Sequence, residues 1–222
     1  DYIRGKKGSF QHVMKFIEML KKENLPTTVL TTVSKINYKE LPKLKDLLLN
    51  RKIAWQIQAG APSGRFDKKL VLSNEEYYAV GAYIASLKNR YNKKELPVIG
   101  AHSFGYNSDF IPCLGLYPNW MGCQAGITIL SVKSNGDVLG CLAASKSITE
   151  GSIRHRSIVD IWNDPKSFSY NRGFKESDLG ENCKNCKHGK NCKGGCCTRS
   201  KSLTGKFHND PYCFHQFEKK II

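Results

Sequence analysis

All nine cysteines of this 222-residue chain lie between Cys113 and Cys213, and the first 112 residues have none. So abrupt a change of composition predicts two parts, residues 1–112 and residues 113–222. The number is odd, the spacings are tight and no secretory leader is read at Asp1, so metal ligation is expected before a disulfide framework. Cys123 is followed by twelve residues, Gly136, four more residues and Cys141; further on stand Cys183, Cys186, Cys192 and Cys196, separated by two, five and three residues, and then Cys213. Between Cys123 and Cys141 the pattern is that of a β-hairpin: strand Ile127–Val132, turn Ser134–Asp137 with Gly136 suited to positive φ, return strand Val138–Leu142. A hairpin joins its own ends, so Cys123 and Cys141 are expected at one centre. The run from Cys183 to Cys196 is punctuated by Asn and Gly and is expected to wrap a cofactor as a loop, with amides turned toward sulfur. Four gathered thiolates repel one another and require a cation. Spacing alone leaves zinc and iron–sulfur open.

The other bounds are simpler. Hydrophobic residues make up 40% and aromatics 10% of the chain, which excludes a wholly disordered polypeptide. No apolar stretch approaches the roughly 18 residues of a membrane-spanning helix, so no membrane association is expected, and the expected compartment is the cytoplasm. The net charge is +16. The lysines are dispersed rather than gathered in a basic run or helix, so a solvated lysine-rich surface is expected, not a nucleic-acid site. Eight thiolates around two iron–sulfur clusters would lower the sum to roughly +12.

Residues 1–112 alternate between helical and strand patterns. Ser9 is placed to cap a helix bearing Phe10, Val13, Met14, Ile17 and Leu20 at helical spacing, and Pro26 follows its end. Thr27–Val33 reads as a strand, about 38–50 as a second helix with Leu41, Leu44, Leu47 and Leu48 on one face, and Ile53–Ala59 as a second strand. Ser73 and Glu76 form a capping box before a third helix carrying Tyr77, Val80, Ile84 and Leu87, and Pro97–Ala101 is a third strand. The order implies an α/β class with parallel strands. Three such strands leave two unpaired edges, so this part is expected to be the second half of a larger sheet or barrel.

The full cysteine pattern resembles the seven-cysteine SPASM domain of radical SAM enzymes. Ser134–Cys141 (SNGDVLGC), Ser157–Asp164 (SIVDIWND) and Cys192–Cys196 (CKGGC) strengthen the likeness. So do Asp1–Phe10, similar to the segment after the third barrel strand of these enzymes, and Trp55–Arg65, similar to their fifth strand and its loop. The resemblance implies the second half of a partial (β/α)6 barrel followed by a small cysteine-rich domain with a hairpin and short helices. It implies two auxiliary iron–sulfur clusters of the 4Fe-4S kind. Cys183, Cys186, Cys192 and Cys213 would hold one; Cys123, Cys141 and Cys196 would hold the other, with Cys113 as the candidate fourth ligand. Cys197 has no counterpart and is expected to stand aside.

By the same resemblance Arg4 would lie near the carboxylate of S-adenosylmethionine, which a guanidinium fork suits. Gln56 and Gln58 share one strand face, and either line the barrel interior or bond backbone. His102 and Tyr106 fall where substrate-side loops belong. The CxxxCxxC motif that holds a further 4Fe-4S cluster for S-adenosylmethionine cleavage does not occur in residues 1–222. The expectation is therefore the C-terminal part of a maturase that modifies a peptide or protein through a 5′-deoxyadenosyl radical, served by an electron donor such as ferredoxin or flavodoxin. A stand-alone zinc- or iron–sulfur-binding interaction module without catalysis is the competing expectation.

Overall fold

The computed structural model describes residues 1–64, 66–102, 104–117 and 119–221. Its first sheet contains β1 (Thr28–Val33), β2 (Ala54–Ala59) and β3 (Val98–Gly100), in that order and all parallel. Thr28 stands opposite Ala54 and Val33 opposite Ala59, while Trp55 of β2 faces Val98. Three helices alternate with the strands: α1 (Ser9–Lys22), α2 (Leu41–Leu48) and α3 (Asn74–Arg90). This is the α/β arrangement that the sequence pattern predicts.

Strand alternation sorts the side chains by face. Val33, Trp55, Ile57 and Val98 are buried in one core with Leu41 and Leu48 of α2 and with Tyr77, Val80, Ile84 and Leu87 of α3. Gln56 and Gln58 point to the other face and are half-buried, and Leu30 beside Gln56 is 59% exposed. Helix α3 begins where its capping box predicts: the Glu76 amide donates to Ser73 Oγ and the Ser73 amide to the Glu76 carboxylate. Helix α1 differs from expectation at its start. Gly8, not Ser9, takes the cap position, and the Asp1 carboxylate accepts from the Gly8 and Phe10 amides at 2.7 and 2.9 Å. Ser9 donates instead to the Lys6 carbonyl. Of the apolar face read for α1, Ile17 is buried, Met14 and Leu20 are half-buried, and Phe10 and Val13 stay exposed.

The second sheet is antiparallel, in the order β4 (Ser131–Val132), β5 (Asp137–Leu139), β6 (Gly151–Ser152). The expected hairpin is present, with Gly136 at φ +92° in its turn. It is shorter than its pattern suggested, because the amides of Ile127, Thr128 and Ile129 all turn back onto the Gln124 carbonyl. The third strand, β6, was not legible in the sequence. Short helices complete the chain: α4 (Ile158–Asn163), α5 (Ser169–Arg172), α6 (Gly189–Cys192), α7 (Cys197–Thr204) and α8 (Phe214–Ile221). A small core of Val138, Ile161 and Phe168 joins this sheet to α4. Helix α8 returns to the first sheet, where Phe214 packs among Tyr77, Tyr78 and Phe104. Leu114 belongs to that same core. Among the described residues no helix is long and apolar enough to cross a membrane.

Candidate metal centres

Four cysteines from three places in the chain line one hollow: Cys183 and Cys186 from the loop before α6, Cys192 at the end of α6, and Cys213 just before α8. Burial is the leading cause that pushes the thiols of Cys183 and Cys192 up to about 12 and that of Cys213 to about 11. Crowding among the four adds to it, with Cys213 acting on both Cys183 and Cys192. Backbone amides oppose this. Those of Asp210 and Gly195 bond the sulfurs of Cys183 and Cys192, and those of His215 and Gln216 bond Cys213. Cys213 thus receives amides from the first turn of α8, as an N-capping group does. Thiols so placed are poised to become thiolates when a cation arrives.

The backbone that carries this set is specific. Cys192, Lys193, Gly194 and Gly195 turn sharply, the last three at φ +53°, +69° and +84°. A Cβ on Gly194 would lie 2.2 Å from the His208 carbonyl oxygen, so only glycine fits. The loop-like reading of this run holds except for the single turn of α6.

A second set forms where the ends of the hairpin meet α7. Cys123 and Cys197 are buried together, with Cys141 and Tyr170 packed against them. The Cys123 thiol interacts with those of both Cys196 and Cys197. The contact with Cys196 lowers its pKa; the contact with Cys197 and burial outweigh it and raise the group to about 12. The buried Tyr170 hydroxyl has no hydrogen-bond partner. Burial raises its pKa, and the nearby Cys197, Cys123 and Cys141 raise it further. Cys113 is exposed, and its thiol donates to the Tyr117 carbonyl at 3.0 Å. The positions differ from expectation at two cysteines: Cys197, expected to stand aside, is buried beside Cys123, whereas Cys113, expected as a fourth ligand, is exposed.

A further group of metal-ligating side chains stands beside the first hollow: the donor atoms of Asp109, His188 and His215 all lie within 4.8 Å of one another.

Several supporting residues escaped the sequence reading. Asn171, fully buried, donates to the carbonyls of Cys123 and Ala125, both at 2.8 Å. Arg172 binds the carbonyls of Gly126 and Trp162 at 2.6 and 2.7 Å. His208 bridges the carbonyls of Lys193 and Tyr170, one beside each set, at 2.6 Å each. Arg199 on α7 pairs with the buried Asp210 at 2.8 Å and bonds the hydroxyls of Tyr77 and Tyr106. That network ties α3 to the cysteine loops, and burial, its leading cause, pushes the Tyr106 hydroxyl well up.

The remaining candidates separate. Tyr106 is a buttress: its hydroxyl bonds Asp210 and accepts from the Cys196 amide at 2.7 Å. His102 is exposed and stacks on Trp120 at 6.0 Å between ring centres. Gln58 bonds Thr32 Oγ1 at 2.8 Å, satisfying it within the sheet, while Gln56 shares its face. Arg4 is exposed in an N-terminal turn. Arg65, the end of the Trp55–Arg65 match, lies outside the described residues.

Comparison with known proteins gives this geometry a context. Residues 123–187 match the SPASM family, described as an iron–sulfur cluster-binding domain. The AdoMet-dependent heme synthase of Methanosarcina barkeri is 27% identical over 231 residues, covering 99% of this chain and 65% of that protein. The PqqA peptide cyclase of Xanthomonas axonopodis pv. citri is 24% identical over 233 residues, covering 96% of this chain and 56% of its own length. The chain thus spans between about half and two-thirds of these relatives. Streptococcus suis SuiB superposes with a TM-score of 0.62 at 19% identity, over 90% of this chain and 47% of that one, and its S-adenosylmethionine-bound form gives 0.59. Residues 123–187 thus match the SPASM iron–sulfur cluster-binding domain, and nearly the whole chain is similar to radical SAM enzymes of the SPASM type.

Proposed function

We propose that this chain is the auxiliary-cluster part of a radical SAM maturase acting on a peptide or protein, with two 4Fe-4S sites. The observation that carries the reading is the gathering of cysteines into two separate, largely buried sets. Cys183, Cys186, Cys192 and Cys213 would ligate one cluster; Cys123, Cys141 and Cys196 would ligate the other. When bound, such clusters supply one-electron transfer. The chain's own part is to exclude water from the sulfurs, to aim amides at them, and to hold both sets against the first sheet through Arg199, Asp210 and Tyr106. The division proposed at residues 112 and 113 is one of composition, cysteine-free before and cysteine-bearing after, while Leu114 and Phe214 beyond it pack into the core of the first sheet.

The first sheet fits half of a (β/α)6 barrel. β1 has β2 on one side only, and the face bearing Gln56, Gln58 and Leu30 is partly open, as a barrel interior missing its other strands would be. Arg4 would reach the carboxylate of S-adenosylmethionine from that side. A peptide substrate is supported by the PqqA peptide cyclase relative, and an electron donor of the ferredoxin or flavodoxin kind would complete the reaction in the cytoplasm. The heme synthase relative, similar over nearly the entire chain, supports a second reading in which the substrate is a heme precursor.

The reading has a direct test. Residues 1–222, loaded with iron and sulfide and given dithionite and S-adenosylmethionine, should release no 5′-deoxyadenosine, because the CxxxCxxC motif is absent from this stretch. Multiple turnovers would overturn it.

A further inference from the structure

We propose that Cys197, not Cys113, is the fourth thiolate of the second centre, with Cys123, Cys141 and Cys196. The assignment rests on the two-cluster reading above and goes beyond its three named ligands.

Three observations carry it. Cys197 is 1% exposed, and Cys123, Cys141 and Tyr170 are its neighbours in one small buried group. Its thiol interacts with that of Cys123, as the Cys196 thiol does. The backbone brings the two thiols to Cys123 by different routes. Cys196 is the extended residue before α7, with φ −75° and ψ 117°, and Cys197 is the first helical residue, so their side chains leave the chain in different directions.

Cys113 fails on the same criteria. It is exposed, and its thiol is engaged by the Tyr117 carbonyl. The Tyr170 hydroxyl, buried and without a partner, stands among the sulfurs of Cys197, Cys123 and Cys141. A hydroxyl there donates to thiolate sulfur once the protons have left, which removes an otherwise costly unpaired group. With Cys197 included, eight of the nine cysteines serve two centres, and the one left over is the one in solvent.

The test compares single variants of the anaerobically reconstituted chain by iron and acid-labile sulfide content and by electron paramagnetic resonance. Wild type should hold about eight irons. Cys113→Ala should keep all of them with an unchanged spectrum; it lies on the surface and will fold. Cys197→Ala should lose about one to four irons and change the signal of one cluster only, and Cys197→Ser, which preserves the packing, should alter the same signal. Loss of a cluster in Cys113→Ala overturns the assignment by itself. Full iron and an unchanged spectrum in both Cys197 variants also overturns it. A wild-type chain that takes up no iron would overturn the two-cluster reading as a whole.

Discussion

Gly194 gives the sharpest test of how the cysteine loop is built, because Gly205 provides an internal control. Both are left-handed, at φ +69° and +74°. An alanine in that conformation costs about 1–2 kcal/mol. A Cβ on Gly205 meets nothing within 4 Å, so Gly205→Ala should cost that amount and no more. At Gly194 the same Cβ would lie 2.2 Å from the oxygen and 2.3 Å from the carbon of the His208 carbonyl. Both are backbone atoms and cannot rotate aside. Relieving such an overlap adds about 1–3 kcal/mol, so Gly194→Ala should cost about 2–5 kcal/mol. In a chain of this size each kcal/mol lowers the melting midpoint by about 2–4 °C. The assay is anaerobic thermal melting of the loaded protein, followed by far-ultraviolet circular dichroism and by the visible absorbance of the clusters. Gly194→Ala should melt well below Gly205→Ala and lose iron to a chelator faster. Equal midpoints would refute the described path of the chain between Cys192 and Cys196.

Other perturbations read out other parts. Ser73→Ala removes one bond of the α3 capping box and should destabilise the protein by about 1 kcal/mol in denaturant melts. Arg199→Met leaves the Asp210 carboxylate, only 1% exposed, without its guanidinium; a loss of about 3–5 kcal/mol is expected, whereas Asp210 and Arg199 replaced together by apolar residues should lose much less. Metal-free protein should lose stability as the pH rises from the ordinary thiol value of 9.0 towards about 12, since Cys183 and Cys192 are held protonated in the fold and released in the unfolded chain. An alkaline melt of metal-free protein that stays flat over that window would contradict the burial of these thiols.

Much of this was legible because it is local. The Ser73–Glu76 box and the Tyr77, Val80, Ile84, Leu87 spacing define α3 within a few turns, and the turn at Gly136 is fixed by four residues. The four cysteines that line one hollow, Cys183, Cys186, Cys192 and Cys213, are the four that the resemblance groups together. The missed features depend on residues far apart in sequence. Asp1 caps α1 from outside the helix, where Ser9 looked sufficient. Ile127–Ile129 had strand composition, but the Gln124 carbonyl captured their amides first. Cys197 has no counterpart in the resembling pattern and was expected to stand aside; its burial beside Cys123, 74 positions earlier, shows only in the folded chain. Tyr106 looked like a substrate-side residue because it follows the last strand of the first sheet, yet Asp210, over a hundred positions away, claims its hydroxyl.

The most direct measurement is metal content. Anaerobically reconstituted chain should be brown and contain about eight irons with matching sulfide. Cys186→Ala should remove one cluster's signal and spare the other, and Cys123→Ala should do the converse. Colourless protein containing zinc alone, or iron unchanged by both substitutions, would contradict the account.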